Sequence, residues 1–178
     1  MTKMRIIIAT FLTFGMAFGV LAQGEVVNKY FNQFEDNEDF VKVSLSSKMF
    51  SMMSDLEPGS DEEKEFLEAI SKLKGMKIVA ADSTGASAEL YDQAKKDIQA
   101  AGFEELMSVQ DAEENFQFSI KEKGDVIEEL VMVAGGKKRF AIISLYGEID
   151  LKNISKIARS MNVGPMSELS KLDPDGDN

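Results

Sequence analysis

Four β-prone segments follow one another between residues 103 and 149, with only short turn-like stretches between them. Their sequences are FEELMSVQ, NFQFSIKEK, VIEELVMVAG and RFAIISLYGEI, and the connections are DAEE, GD and GGKK. Connections this short join neighbouring antiparallel strands, because a parallel crossover needs a dozen or more residues. The sequence therefore predicts a four-strand antiparallel meander. This meander limits the possible folds more than any other feature of the chain.

Two of the four segments indicate how the sheet is organised. In FQFSIKE the apolar residues Phe116, Phe118 and Ile120 alternate cleanly with polar ones, which is typical of a strand. FAIISLY, residues 140–146, hardly alternates. We therefore expect FAIISLY to be a central strand that is buried on both faces.

The first half of the chain predicts helices and two more strands. Apolar residues recur at helical spacing over 27–34, 49–56, 66–73 and 90–101, and Ser60 with Glu63 forms a capping box that starts the third helix. This third helix is expected to end at Gly75. FVKVSLS and MKIVAAD, residues 40–46 and 76–82, have the composition of strands.

A last helix is predicted after Asp150, with Leu151, Ile154, Ile157, Ala158 and Met161 on one side. The whole pattern indicates the α+β class. We expect a single layer of antiparallel or mixed sheet, which includes the C-terminal four-strand meander and is packed with amphipathic helices.

The N-terminus has the pattern of a secretory signal peptide over residues 1–22. Lys3 and Arg5 precede an uncharged stretch, residues 6–22, and Val20 and Ala22 are small residues at the −3 and −1 positions of a cut before Gln23. A membrane anchor is the alternative. It usually needs about 20 predominantly apolar residues, and this stretch is shorter and contains threonines and glycines.

Cleavage would leave 156 residues (178 minus 22), enough for one domain with a sizeable core. We expect an α+β domain over 23–163 and a flexible acidic tail over 164–178, with no membrane span after cleavage. The expected location is the periplasm or cell envelope. Because cysteine is absent, the residue that carries the lipid of a lipoprotein is missing.

Histidine is absent as well as cysteine. These absences remove the usual general base near neutral pH, the commonest zinc ligand and all thiolate chemistry. Serine–histidine triads, cysteine proteases and zinc hydrolases are excluded, while carboxylate, Ser–Lys and Tyr chemistry remain possible. The formal net charge of −11 becomes −13 when Lys3 and Arg5 leave with the signal peptide. A chain this acidic repels nucleic acid, which is not expected as a partner.

The stretch Gly135-Gly136-Lys137-Lys138 has the composition of a phosphate-binding loop. A P-loop, however, needs a Ser or Thr after the lysine and then a helix. Here Lys138 follows Lys137, and the next predicted element is a strand. We therefore predict a hairpin connection, in which glycine supplies the turn conformation.

Two further stretches have the residue types of metal sites. LDPDGDN places Asp173, Asp175 and Asp177 like the start of a calcium loop, but the glutamate needed at position twelve is missing, so we expect a solvated tail. Met49, Met52 and Met53 could bind Cu(I), but copper sites usually recruit Cys or His as well. Since Met49 and Met53 share a helical stripe with Phe50 and Leu56, we expect these methionines in the core.

No catalytic constellation is complete. Ser71 and Lys74 form an SxxK match, but the SDN and KTG elements that accompany it in penicillin-recognising enzymes are absent. Adjacent residues on a strand point to opposite faces, so pairs of neighbouring glutamates cannot converge on one glycoside and are expected at solvated rims and turns. These pairs are Glu104-Glu105, Glu113-Glu114 and Glu128-Glu129. The sequence therefore assigns no catalytic, cofactor-binding or metal-binding residue, and no cofactor.

Several motifs together resemble an exported bacterial family, domain of unknown function 4252 (DUF4252). They are VSLSSKMFSMM, the GFEELM start of the meander, the KEKGD turn, and the SLYGEIDL passage that leads to the last predicted helix. The resemblance extends from about residue 26 to 161. It implies a signal-bearing envelope protein with one α+β domain, and it carries no active-site residues.

These observations favour a non-enzymatic binding or interaction module with an unidentified envelope partner. An exposed apolar patch on the sheet, or beside the helix of Tyr30, Phe31 and Phe34, would support this interpretation. The alternative is a small-ligand or hydrolytic protein that uses carboxylates with Tyr91 or Tyr146, and it predicts a deep pocket with two convergent carboxylates. An envelope-stress regulator is compatible with the same residues.

Overall fold

Within the described residues, helices and strands are interspersed up to residue 100, and only strands follow from there to residue 149. The computed structural model describes residues 24–82, 84–110, 112–137 and 139–150. The signal segment, the predicted last helix and the acidic tail lie outside the described residues. The elements, in chain order, are α1 (Glu25–Gln33), β1 (Val41–Ser46), α2 (Ser47–Ser54), α3 (Asp61–Ser71), β2 (Leu73–Ala81), α4 (Ser87–Ala100), β3 (Glu104–Gln110), β4 (Glu114–Lys123), β5 (Val126–Gly136) and β6 (Phe140–Ile149).

The six strands form one antiparallel sheet in the order β1-β2-β6-β5-β4-β3. The predicted meander is therefore confirmed as β3–β6, and the α+β class is confirmed with it. β6 pairs with β2 on one side and β5 on the other, which confirms its predicted central position. The β4–β5 connection turns at Gly124, whose positive φ of 65° suits a tight hairpin.

Helices cover both faces of this sheet. On the first, which we name the α1/α4 face, side chains of α1 and α4 pack with strand residues such as Val79, Val131 and Ile142. On the second, the α2/α3 face, Phe50 of α2 and Ile70 of α3 belong to the same buried cluster as Phe118 and Leu130. The sequence pattern predicted helices packed on the sheet, and the structure adds that they lie on opposite sides of it.

The third helix begins as predicted and ends earlier than predicted. The Ser60 hydroxyl accepts a hydrogen bond from the Glu63 N–H at 3.1 Å, and the Glu63 carboxylate accepts one from the Gly59 N–H. The predicted end at Gly75 is wrong, because β2 already starts at Leu73. A Cβ at position 75 would lie 2.7 Å from Cε2 of Tyr146, so glycine is required here to let that ring lie against the strand.

The predicted burial of the α2 methionines is wrong for two of the three. Phe50 is buried and Met53 is partly buried, but Met49 is 45% exposed and Met52 is 57% exposed. Leu56, placed in the same predicted core stripe, is 62% exposed. α2 has only eight residues and contacts β1, β2 and α3 along one side. Its opposite side therefore remains open.

α1 and α4 are joined by polar contacts as well as apolar ones. The Tyr30 hydroxyl, at the end of a fully buried side chain, donates to Asp97 Oδ2 at 2.8 Å, and Lys29 Nζ lies 2.6 Å from the same oxygen. Burial disfavours the Asp97 charge, yet hydrogen bonds from Lys29, Tyr30 and Gln93 lower the pKa of this carboxyl. Burial and the neighbouring Asp97 raise the pKa of Tyr30, so this phenol stays protonated.

None of the helices within the described ranges has the length and apolar character needed to cross a membrane.

Candidate functional site

A cleft of about 460 Å³ lies on the α1/α4 face between α4, which packs on β5 and β6, and the strands β3 and β4. One wall is a side of α4, and Phe103 and Glu105 lie opposite it at the start of β3. Gln117 of β4 also lines the cleft. The α4 residues that line it are Asp92, Lys95, Lys96, Ile98 and Gln99.

Gln117 is the most unusual residue of the cleft, because its side-chain amide is buried and only the NH₂ group of this amide makes a hydrogen bond. Its side chain is 5% exposed, and Nε2 donates to Ser119 Oγ at 3.0 Å. Oε1 has no partner among the described residues. An unsatisfied buried carbonyl costs about 1–3 kcal/mol, so a bound N–H or O–H donor would be stabilised at this atom.

Tyr91 of α4 supplies a second buried polar atom beside the cleft. Its hydroxyl is buried and has no hydrogen-bond partner in the described part of the chain. Burial, followed by the negative charges of Glu105 and Asp92, raises the pKa of Tyr91. Since both of these carboxylates line the cleft, the hydroxyl lies close to it and stays protonated, able to donate as well as accept.

The charges around the cleft are mixed. Lys95 and Lys96 bring positive charge, Asp92 and Glu105 bring negative charge, and the Lys95 ammonium lies 5.5 Å from the centre of the Tyr91 ring. Asp92 and Glu105 are exposed. The cleft therefore has the buried Gln117 in its wall and charged side chains at its rim, while Tyr91 is not among the residues that line it.

A hairpin connection joins β5 and β6, as predicted, but the predicted turn role of the glycines is wrong: Gly135 and Gly136 belong to β5, and neither has a positive φ. Lys138 lies outside the described residues. Gly135 pairs with Phe140, and Lys137 Nζ lies 2.7 Å from the Glu113 carboxylate. A Cβ on Gly135 would lie 2.5 Å from the Cβ of Tyr91, so this glycine lets α4 approach β5 and sets the position of Tyr91. The sequence pattern contained no sign of this contact between two distant segments.

The predicted exposure of the glutamate pairs is confirmed for Glu104, Glu105 and Glu113, while Glu114 and Glu128 are partly buried. Glu113 pairs with Lys137, and Glu114 pairs with Arg139 through a contact of 2.8 Å. Glu129, in contrast, is 3% exposed, so its predicted solvation is wrong. It lies two residues before Val131 and therefore on the same buried face of β5, a spacing that could have revealed it.

The other sequence candidates do not come together in the cleft. Ser71 donates to the Glu68 carbonyl at the end of α3, while exposed Lys74 lies in β2. Tyr146 lies against Gly75 and is not among the cleft residues. The three aspartates of the tail lie outside the described residues. No cluster of three or more metal-binding side chains occurs within the described ranges.

The structure defines a small α+β domain with an antiparallel sheet covered by helices on both faces and a polar-lined cleft under α4. The chain belongs to the family described as Domain of unknown function (DUF4252), whose model matches residues 34–157. The resemblance seen in the sequence is thereby confirmed, and the family description assigns no activity. No curated protein and no solved structure matches the chain.

Proposed function

We propose that this chain is an exported, non-enzymatic binding domain whose ligand occupies the cleft between α4 and the strands β3 and β4. The observation that carries the proposal is Gln117, which lines a cleft of about 460 Å³ and whose buried Oε1 has no hydrogen-bond partner in the described structure. Such an atom favours a ligand that brings a donor into the cleft.

The ligand that fits these atoms is a small molecule or peptide segment with an amide group. An amide N–H can donate to Gln117 Oε1, which lacks a partner within the described residues; because this atom is covered, the Gln117 side chain has to rotate toward the cleft for the bond to form. Ile98 and Phe103 provide apolar contact for the remainder of the ligand. The four charged side chains of the rim suit a ligand without strong net charge.

A carboxylate-dependent hydrolase is less well supported by this geometry. Such chemistry needs two carboxylates that converge on the substrate, at least one of them with a raised pKa. The carboxylates that line the cleft, Asp92 and Glu105, are exposed. The buried carboxylate with a raised pKa, Glu129, is not among the residues that line it.

Ligand binding in the cleft is tested by adding a panel of uncharged N-acetyl dipeptide amides to the ¹⁵N-labelled protein and recording its ¹H–¹⁵N spectrum. We expect members of the panel to shift the Gln117 side-chain signals and the backbone signals of residues 95–99 and 103–105. Gln117→Leu should abolish these shifts. Gln110→Leu, the same change at an exposed site on β3, should leave them intact.

Two results would contradict ligand binding in the cleft. One is a panel that produces no shift at the cleft at millimolar concentration, and the other is a set of shifts that survives Gln117→Leu. Export is tested separately by fractionating cells and measuring the intact mass of the protein. A chain that stays in the cytoplasm with residues 1–22 attached would contradict export without affecting the cleft.

A second candidate function is docking of a partner protein on the outer side of α2. Met49 and Met52 of α2, together with Leu56 just after its end, are three of the five large apolar side chains that the described residues expose. Methionine adapts easily to a partner surface. An envelope pull-down with Met49→Gln, Met52→Gln and Leu56→Gln combined should lose the partner, while Val126→Gln, at another exposed apolar site, should keep it.

A further inference from the structure

β1 lies at one end of the sheet, where one row of its backbone groups has no partner strand among the described residues. Such an edge can pair with a strand of another chain, and natural proteins usually protect it with a bulge, a proline, a charged side chain or a very short strand. β1 has six residues, which is an ordinary length, and its sequence VKVSLS contains no proline. It pairs with β2 in an unbroken register from Val41 to Ser46, so it has no bulge either.

The one charged residue of β1 does not protect this edge. Lys42 pairs with Val79 of β2, whose side chain is buried on the α1/α4 face, so Lys42 lies on that face too. Its ammonium group donates to the Phe34 carbonyl at 2.8 Å and to the Glu35 and Asn37 carbonyls at 3.2 Å each. Since these carbonyls lie just after the end of α1, the positive charge is held over the face of the sheet and not at its edge.

β3, at the opposite end of the sheet, has the protections that β1 lacks. Its register with β4 shifts between Glu105 and Met107, which marks a bulge. Glu104 and Glu105 are exposed and place two negative charges at its start. A bulge and charged side chains both discourage pairing with a further strand. The comparison indicates that β1 is the edge that is ready for pairing.

Exposed apolar side chains are concentrated in β1 and in the segment that follows it. Five large apolar side chains are exposed within the described residues, and four of them lie between residues 41 and 56: Val41, Met49, Met52 and Leu56. Val41, on β1 itself, has the largest exposure of the five at 63%. Such a concentration of exposed apolar residues marks a surface that another molecule covers.

We propose that β1 pairs with β1 of a second copy of this chain in antiparallel orientation, so that two six-stranded sheets join into one. The two edges offer each other the same unpaired backbone donors and acceptors. Antiparallel pairing of a strand with itself has two-fold symmetry, which is the commonest symmetry of homo-oligomers. The proposed dimer is independent of the ligand cleft, which lies at the β3 and β4 end of the sheet.

The side chains of β1 favour one register of this pairing. Leu45 packs with the buried cluster of the α2/α3 face, so Val41 and Val43 lie on that face as well. A register centred on Val43 places Val43 opposite its own copy and Val41 opposite Leu45 of the second copy. Lys42 then lies opposite Ser44. Apolar residues therefore meet apolar residues, and no two like charges lie opposite each other.

The neighbouring registers are less favourable. A centre at Lys42 would place the two lysines directly opposite each other, and like charges in that position destabilise a strand pair. A centre at Ser44 would place Val41 opposite Ser47, which belongs to α2 and not to the strand. The most exposed apolar residue of β1 would then gain no strand neighbour.

The charges at the two ends of β1 favour the antiparallel orientation. The stretch before β1 carries four exposed acidic residues, which are Glu35, Asp36, Glu38 and Asp39. α2, which follows β1, carries the exposed Lys48. Antiparallel pairing brings the start of one β1 to the end of the other, so Lys48 of each copy approaches the acidic stretch of the other copy. A parallel pairing would bring the two acidic stretches together.

The strand pair is a small interface. Five residue pairs bury much less than the about 1,200–2,000 Å² that a stable protein complex buries. We therefore expect a weak dimer, half formed at a protein concentration on the order of 100 μM. Sedimentation equilibrium over a range of concentrations measures this association on the full chain, purified as the cell produces it.

The register is tested with single cysteines, since the chain has none of its own. Directly opposite side chains of an antiparallel pair have Cβ atoms about 4.5–5.5 Å apart, which a disulfide can bridge after a small adjustment. Val43→Cys should therefore give a covalent dimer on mild oxidation. Val41→Cys is the matched control. Its side chain is more exposed, but in this register the two cysteines lie roughly 13 Å apart along the strands, so it should cross-link several-fold less.

Ser44, an exposed residue of β1, tests the same register by charge. Ser44→Glu places a carboxylate opposite Lys42 of the second copy and should strengthen the association roughly 3-fold or more, whereas Ser44→Lys should weaken it by a similar factor. The same two substitutions at Ser108, an exposed residue of β3, control for the change in net charge and should affect the association much less.

A chain that stays monomeric at millimolar concentration would overturn the inference. Slow exchange of the β1 amides in such a monomer would show that another segment of the same chain occupies the edge. Cross-linking of Val41→Cys as readily as Val43→Cys, or equal effects of the two Ser44 substitutions, would place the contact elsewhere and equally remove the pairing of β1. The ¹H–¹⁵N spectrum checks that each variant is folded. If Val43→Cys, at a partly buried position, does not fold, the Ser44 pair still decides.

Discussion

The α1/α4 face and the α2/α3 face are built from alternate residues of the same strands, yet they bury different chemistry. On β4, Phe118 points to the α2/α3 face while Gln117 and Ser119 point to the other. All the polar side chains that are buried within the described residues belong to the α1/α4 side, and they are Ser87, Gln117, Ser119, Glu129 and Ser144. The α2/α3 face buries apolar side chains.

This difference is the reason why we place the proposed ligand site on the α1/α4 face. Apolar burial is non-directional and stabilises the domain, whereas each buried polar group has to find a partner in a defined direction. The cleft, the Tyr30–Asp97 contact and Glu129 all lie on the polar side. The buried side chains of the α2/α3 face stabilise the domain, and the outer side of α2 is the surface of this face that a partner could contact.

The largest expected effect is the loss of apolar burial on the α2/α3 face. Phe118 is fully buried, so Phe118→Ala should reduce the free energy of unfolding by about 3–5 kcal/mol, as measured by urea titration. Val126→Ala, at an exposed site on the neighbouring strand, should change it by less than about 0.5 kcal/mol. A loss below about 1 kcal/mol for Phe118→Ala would mean that this face is not the apolar core of the domain.

The tyrosine contact between α1 and α4 should come next. Tyr30→Phe removes a hydrogen bond to a charged acceptor, and we expect a loss of about 1.5–3 kcal/mol at pH 7. Because the pKa of Asp97 is lowered on folding, its contribution is present above its unfolded value of about 3.9 and disappears as the pH falls through the folded value. The effect of Tyr30→Phe should therefore shrink toward pH 3. Lys29→Ala, at a half-exposed partner of the same carboxylate, should cost less than about 1 kcal/mol.

A somewhat smaller loss is expected where α4 approaches β5. Gly135→Ala places a methyl group 2.5 Å from the Tyr91 Cβ, so α4 must move, and we expect a loss of about 1–3 kcal/mol. The same substitution should weaken any ligand bound in the cleft. Gly85→Ala is the matched control, since nothing lies within 4 Å of its added methyl group. Equal unfolding midpoints for the two variants would contradict the close approach.

The smallest effect is expected on the outer side of α2. Met49→Gln and Met52→Gln should each change the free energy of unfolding by less than about 0.5 kcal/mol, because both side chains are largely exposed. Phe50→Gln, on the opposite side of the same helix, should be far more damaging. A large loss from either methionine substitution in the isolated protein would show that this stripe is part of the core.

Some of the fold was predictable because its signals are local. The Ser60–Glu63 cap, the alternation in β4 and the short connections of the meander depend on residues close together in sequence, and the structure confirms all three. The errors arose where distant segments meet. The sequence pattern predicts a helix end at Gly75, because the contact of this glycine with Tyr146 cannot be seen from the sequence. It predicts that Glu129 is solvated, because pairs of acidic residues usually are.

The candidate site was harder to predict than the fold. From the sequence, Tyr91 is one possible participant in a ligand-binding or hydrolytic site, and Gln117 is one of the polar residues that alternate with apolar ones in β4. Nothing in the sequence pattern indicates that the amide of Gln117 is buried with an unpaired oxygen, because that property depends on how the helices and strands pack together. The cleft therefore became visible only with the tertiary contacts.

The residue pattern is sufficient for the α+β class, the meander, the helix cap and the family, since periodicity and turn chemistry act over a few neighbouring residues. The order of strands, the division of helices between two faces and the burial of Gln117 and Glu129 depend on contacts between residues far apart in the chain. A carboxylate's surroundings decide whether it is solvated or buried, and those surroundings form only when the sheet and its helices come together.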